Sequence, residues 1–330
     1  MRLTLAIPEL LALDRDMLAA APSLARFAHY ASPPVTRRGS LDAFLVAGSA
    51  ALDPDGLAPL AALGAGLDPG ASYVLRADPV SLVAGRNDVV LAARIDDLGA
   101  NDSDALLATL NAHFGRDGFV FHAPRPDAWF ILLDNAPLLA TTPLSAVRGA
   151  IYPWLPSGSD APQWRRWLCE MQMLLHEHPT NAARAAHGRV PVTGIWISHG
   201  GRIAETKPGP TTAMFATPGA AGDVARGLAR FHGKEFRAPP VNFADLPMQE
   251  DATVVPDRAN IGNSARLQSD WLAPAVAALE RGTLASLSLL ADGNGMAAAW
   301  HAPRPAWTRR AIAKFATRPF APLLPYLDDA

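Results

Sequence analysis

The chain has 330 residues, 49% of them hydrophobic, and a formal net charge of −2 at pH 7. That apolar fraction can fill one large or two modest domains and excludes a disordered chain, while so balanced a charge gives no field for gathering nucleic acid or an anionic membrane. Cys169 is the only cysteine, so neither a disulfide framework nor a Cys-based zinc site can form, and a lone thiol fits a reducing, cytoplasmic setting.

Leu3 to Ile7 reads as a short buried strand closed by Pro8, and Glu9 and Asp14 interrupt any signal-peptide apolar segment. No uninterrupted apolar run approaches the ~18 residues of a membrane span. A helix is expected from Ser23 to His29, a loop through Pro33-Pro34 and Arg37-Arg38-Gly39, and short helices among the breakers of residues 43–66. Tyr73–Arg76 and Val89–Ala93 read as strands around a turn at Gly85–Asp88. Asn101, Asp102 and Ser103 then offer N-caps to a helix whose stripe is Leu106, Leu107, Leu110 and Phe114. Phe119–Phe121 and Trp129–Leu133 follow as strands, so residues 73–133 form a β-β-α-β-β unit. The strongest helix runs from about Ala161 to Glu177, with Trp164, Trp167, Leu168, Met171, Leu174 and Leu175 on one face. Pro179 ends it and opens a second helix that stops at Gly188. Val192–Ser198 is a strand ending in the polar turn Ser198-His199-Gly200-Gly201. Residues 203–219 read as loop, Asp223–His232 as a helix, and residues 236–262 as mostly loop. Leu267–Glu280 is helical, with a kink or restart forced by Pro274. Leu284–Leu290 and Met296–His301 make a hairpin through Asp292-Gly293-Asn294-Gly295, before a basic helix Trp307–Phe315 and a Pro-rich tail.

Four polar constellations stand out. His176-Glu177-His178 closes a helix, where side chains two apart diverge, so dipole stabilisation outweighs metal binding. Gln172 and His176 lie four apart beside the apolar stripe, and Asn181 and Arg184 three apart at the next helix start. Together they either hold an anion at a helix N-terminus or fix the helical hairpin by hydrogen bonds. Arg76 and Asp78 end one strand and His122 and Arg125 another. If the strands are neighbours, the four meet at one sheet edge, where arginine forks suit phosphate or carboxylate; the alternative is a local Arg76–Asp78 pair. His199 sits in a Gly-rich turn that can cradle an anion. Arg304, Arg309, Arg310, Lys314 and Arg318, near Trp300 and Trp307, form the one basic patch, which reads first as a solvated helix face rather than a nucleic-acid contact. No Walker loop, G-x-G-x-x-G, H-E-x-x-H or G-x-S-x-G pattern occurs, so no cofactor and no metal is expected.

Arg76-Ala77-Asp78-Pro79-Val80, Leu110-Asn111-Ala112-His113-Phe114, Phe121-His122-Ala123-Pro124-Arg125-Pro126, and the run from Glu170 to Asn181 and Arg184 resemble the RpfE-type regulatory proteins. A wider resemblance is to the archaeal-type cofactor-independent phosphoglycerate mutases. Trp196-Ile197-Ser198-His199-Gly200-Gly201 is similar to their W-x-W-G-x-G turn, and Asp223 to Gly233 to their D-L-I-R-G-I-G-R-x-x-G helix. Ala21–Ala28 and Leu63–Pro69 are similar to two further segments. The resemblance implies an alkaline-phosphatase-like α/β core, residues 1–70 and 190–330, with an inserted α+β domain at 71–189.

The departures fall on chemistry. Where those mutases carry a metal-binding D-G-x-G-D after the first strand, this chain has Ile7-Pro8-Glu9, and Leu289–Gly293 offers one carboxylate and no histidine at the later metal signature. A two-metal mechanism needs a bridged cluster. The expectation is therefore a non-catalytic or divergent mutase-like protein in a regulatory role, binding a small phosphorylated or carboxylated ligand or a protein partner. Its ligand-binding candidates are Arg76, Asp78, His122, Arg125, Gln172, His176, Asn181, Arg184 and His199. The alternatives are a metal-independent phosphotransferase using His122 or His176 as nucleophile, and nucleic-acid association through the C-terminal basic helix.

Overall fold

The computed structural model describes residues 1–13, 21–47, 57–86, 88–203, 213–217, 219–234, 236–256 and 264–313. In chain order the elements are β1 (Arg2–Ile7), α1 (Pro22–Tyr30), β2 (Val35–Arg38), α2 (Asp42–Ala47), α3 (Ala58–Ala65), β3 (Tyr73–Ala84), β4 (Val89–Arg94) and α4 (Ala100–Phe114). They continue with β5 (Phe119–Arg125), β6 (Ala128–Leu133), α5 (Ala161–His176), α6 (Pro179–Ala186), β7 (Gly194–Gly201), β8 (Ala213–Ala216) and α7 (Ala220–Phe231). The last are β9 (Phe236–Arg237), β10 (Ala252–Val255), a π-helical turn (Leu267–Leu272) running into α8 (Ala273–Arg281), β11 (Ser286–Gly293), β12 (Met296–Pro303) and α9 (Trp307–Ala313). The class is α/β, as expected, and the chain divides into two compact units: Met1–Ser49 with Pro208–Ala330, and Ala50–Lys207.

The first unit holds a seven-stranded sheet of order β2-β12-β11-β1-β10-β8-β9. Strands β11 to β9 run parallel, and β12 and β2 extend the sheet antiparallel. Leu3, Leu5 and Ile7 pair with Leu287, Leu289 and Ala291. Being alternate residues they share one face, and they pack in one core with Leu24 and Phe27 of α1, Trp271, and Val276 and Leu279 of α8. The β11–β12 hairpin turns on Gly293, Asn294 and Gly295, all at positive φ. Two sequence expectations change here. Val35–Arg38 is an edge strand against β12, not a loop. The segments expected as loop at 203–219 and 236–262 supply β8 and β10, four residues each, at positions inside the sheet. At Pro274 the helix restarts: a π turn, with the Ala273 N–H reaching back to the Gln268 carbonyl, gives way to α8 with Pro274 in its first turn.

The second unit holds a five-stranded antiparallel sheet of order β4-β3-β6-β5, with β7 also paired to β3. The 12-residue β3 does not end at Arg76: it runs through Pro79, pairing β6 over Tyr73–Arg76 and β4 over Val80–Ala84. The Pro79 carbonyl accepts from Ile95 on that side, so its N–H-less nitrogen faces the gap between β6 and β4 and breaks no ladder bond. β7 runs along β3 from Val74 to Val80, which joins the strand after Val192 to this unit. The division accordingly lies at 49/50 and 207/208, whereas the sequence reading placed it at 70 and 190. One sheet face, with Leu75, Ala77, Phe121, Ile131, Ile195 and Ile197, packs on Leu106, Leu110 and Phe114 of α4 and Trp164, Met171 and Leu175 of α5. The helical stripes read from the sequence are the ones buried here.

Candidate functional site

Ser198 pairs with Arg76, Arg76 with Phe130, and Phe130 with His122, so four strands place these residues in one row. Cross-strand partners share a face, and Asp78, two residues along β3, joins it. The Arg76 Nε donates to Asp78 Oδ1 at 2.6 Å, and both side chains are largely buried. The Gly-rich segment expected as a turn is instead a bulge. The β3 residues Val74 and Arg76 face Gly201 and Ser198 of β7, which leaves one extra residue on β7. His199 occupies that bulge at φ 56°, a left-handed conformation uncommon for a side-chain-bearing residue. Its Nδ1 lies 2.9 Å from Ser198 Oγ. Burial, helped by the Arg76 guanidinium and opposed by Asp78, pulls the His199 imidazole down to about 4, so it is neutral at physiological pH. Burial also lowers His122. The Ser198–His199 pair has the contact a nucleophile needs, but Ser198 is 0% exposed, so no substrate reaches its hydroxyl.

The remaining candidates separate. Phe130, itself fully buried, stands between Arg76 and His122 in the row, so those two strands do not bring their polar groups to one edge. Arg125 forms a two-point pair with Asp127 in the β5–β6 turn. His176 is exposed at the end of α5. Asn181 is buried; its amide donates to the Leu175 and Val192 carbonyls, and its carbonyl accepts from the Val192 N–H at 2.8 Å. Arg184, 2% exposed, donates to the Val190 carbonyl at 3.1 Å and pairs with Asp97 and Asp102. Of the two roles weighed for this helical hairpin, the geometry is that of an internal brace: Asn181 and Arg184 turn inward and are no anion clamp. In the C-terminal basic patch, Trp300 lies in the core of the first unit and Arg310 donates to the Glu280 carbonyl, while Lys314 and Arg318 lie outside the described residues.

The feature absent from the sequence reading is a cavity of about 580 Å³ within the second unit. Leu82 of β3 and Val89 of β4 form one wall, Ile151, Leu155 and Pro156 a second, Leu168, Cys169 and Gln172 of α5 a third, and Ile195, Trp196 and Ile197 of β7 the floor. Arg86, Asp88 and Arg165 add the charges. Gln172 is the one sequence candidate that lines it. A signal existed: Arg165, Cys169 and Gln172 follow at i, i+4 and i+7, a second face of α5 that meets its core stripe at Leu168.

The metal cluster implied by the mutase resemblance was tested against the strand ends of the first unit. Asp292, at the end of β11, accepts the Glu9 N–H on Oδ1 at 2.7 Å and the Leu41 N–H on Oδ2 at 3.0 Å. Both oxygens of this carboxylate thus bracket two loops. Among the described residues no group of three or more His, Cys, Asp or Glu side chains could hold a metal ion. The described residues do not fit a two-metal centre.

No family profile and no curated relative matches the chain. Solved structures do, among them a cofactor-independent phosphoglycerate mutase from Thermoplasma acidophilum DSM 1728, at 18% identity over 92% of this chain and 90% of that one with a TM-score of 0.40, and the PH0037 protein from Pyrococcus horikoshii, at 15% identity over 92% and 87% with a TM-score of 0.47. Among the described residues no helix is long and apolar enough to cross a membrane.

Proposed function

We propose that this chain is a ligand-binding protein of regulatory type, built on a mutase-like scaffold, which seats a small anionic molecule in the Ala50–Lys207 unit. The observation that carries the reading is the cavity of about 580 Å³. Its size falls in the roughly 300–1,000 Å³ range of small-molecule sites, and so does its make-up of apolar walls with a few charged groups. Metal-assisted phosphoryl transfer forms no part of the reading, because among the described residues no group of three or more His, Cys, Asp or Glu side chains could hold a metal ion. A histidine nucleophile is disfavoured too: His176 is exposed with no arginine bonded to it, and the buried Phe130 separates His122 from Arg76.

Cys169 gives a direct test. It is the only cysteine, it is exposed, and it lines the cavity. A bound molecule slows its alkylation by N-ethylmaleimide and raises the melting temperature by mass action. In a panel containing 3-phosphoglycerate, inorganic phosphate and mono- and dicarboxylates of varied chain length, at least one anion is expected to do both. If every anion leaves the alkylation rate unchanged, the cavity is not the seat of function.

A further inference from the structure

Resting on the ligand-binding reading, we infer that the cavity takes a small amphipathic monocarboxylate, its apolar body against Trp196 and Leu168 and its head on Arg165. Three observations select this class over a sugar phosphate or an amine.

The walls come first. Leu82, Ile151, Leu168 and Trp196 offer hydrocarbon and an indole face, and the indole N–H is already donated to the Thr142 carbonyl at 2.8 Å. A polyhydroxylated body would bury hydroxyls without partners there, each weakening binding by roughly 5- to 150-fold. An alkyl or aryl body loses nothing on entry.

The charge balance comes second. Two arginines, Arg86 and Arg165, face one carboxylate, Asp88, which lies on the exposed β3–β4 turn. The excess is one positive charge, which a monoanion matches and an ammonium opposes.

The state of Arg165 comes third. Its Nε donates to the Pro156 carbonyl at 3.0 Å, which fixes the half-buried guanidinium at the cavity wall. Among the described residues no carboxylate and no carbonyl takes up its two terminal amino groups. A guanidinium held at Nε with its outer edge unclaimed is the fork that a carboxylate fits with two parallel hydrogen bonds. By comparison Arg184, whose three nitrogens all find acceptors, has no such edge.

Matched probes separate head from body. Octanoate, octanamide and octylammonium share a chain and differ in head charge. Titration calorimetry on the intact protein, read alongside protection of Cys169 from N-ethylmaleimide, is expected to rank octanoate about 10- to 100-fold above both others, the range for a charge-assisted hydrogen bond to Arg165. Arg165→Gln removes that preference, and Arg165→Lys keeps part of it. The comparison among probes on the unaltered chain needs no variant to fold. Octanamide equal to octanoate, with both protecting Cys169, overturns the carboxylate assignment and leaves the cavity as a binding site. Tighter octylammonium overturns it in favour of Asp88. Protection by a phosphorylated anion but not by octanoate overturns it as well, again sparing the cavity. Protection by no probe at all removes both this inference and the reading beneath it.

Discussion

At the carboxyl ends of β1 and β11 in the first unit, the Asp292 side chain is closed off by two backbone N–H groups, one on each of two loops. In the second unit, Arg165 is pinned by one carbonyl and lines a cavity with apolar walls. Both are charged side chains, one at a strand end and one on a helix. What separates them is how many of their hydrogen-bonding positions the fold itself consumes. A carboxylate with both oxygens on backbone donors holds the chain in shape, whereas a cation with a fixed stem and an open fork beside hydrocarbon is arranged to hold something else. The same count sorts the second unit internally, where Arg184 and Asn181 are saturated and Arg165 is not.

Arg184→Met is the most disruptive test of that comparison. It removes a buried guanidinium from Asp97, Asp102 and the Val190 carbonyl, and breaking such a pair costs about 3 kcal/mol. Chemical denaturation should show that loss, while ligand protection of Cys169 at a temperature where the variant is folded stays at its original level. Asp292→Ala should cost about 2 kcal/mol, because two buried-side N–H groups lose a charged acceptor; a variant as stable as the parent would show that the bracket is ornamental and reopen the strand ends as a site. His199 sets the pH response. Its folded-state value of about 4 lies below the unfolded one of about 6.5, so the unfolded chain binds the extra proton between those limits. Stability is therefore full above pH 6.5 and falls as the pH drops toward 4, by up to about 1.4 kcal/mol per unit. His199→Asn, whose residue tolerates the left-handed backbone, should flatten that slope in pH-dependent denaturation. The smallest effect expected is none: prolonged chelation with EDTA should leave the melting temperature unchanged within error, and elemental analysis should find less than one equivalent of manganese or zinc. Stoichiometric metal would overturn the test of the first unit's strand ends.

Much of the scaffold was legible in the sequence because its signals are local. The stripes on α4 and α5, the Gly293–Gly295 turn and the β-β-α-β-β order all follow from spacing within a dozen residues. β8 and β10 were not legible. Ala213–Ala216 and Ala252–Val255 are runs too short to show a period, and burial by neighbours up to 250 residues away makes them strands. Tyr73–Arg76 was legible as a strand, but its continuation through Pro79 was not, because it depends on the gap between β6 and β4, which tolerates a residue without an N–H. At the site, the Arg76–Asp78 pairing was visible as a spacing, and His199 as a residue in a Gly-rich segment. The cavity was not, since its walls come from four separate stretches between Leu82 and Ile197. For Asn181 and Arg184 the spacing leaves an anion clamp and a hydrogen-bonded hairpin equally open, because it gives the identity of a side chain's neighbours along a helix and not the direction in which it turns; the hairpin is what forms.

The pairing of β1 has a consequence for the order in which the molecule comes together. Leu3 pairs with Ala252 on one side and Leu287 on the other, while every strand of the inner unit lies between Tyr73 and Gly201. During synthesis the inner sheet is complete some fifty residues before β1 meets its first partner. Until then β1 is an apolar segment with two open edges, the kind of segment on which chain–chain association starts. The stretch of translation from Gly201 to β11 is thus the interval in which this protein most needs protection from its neighbours.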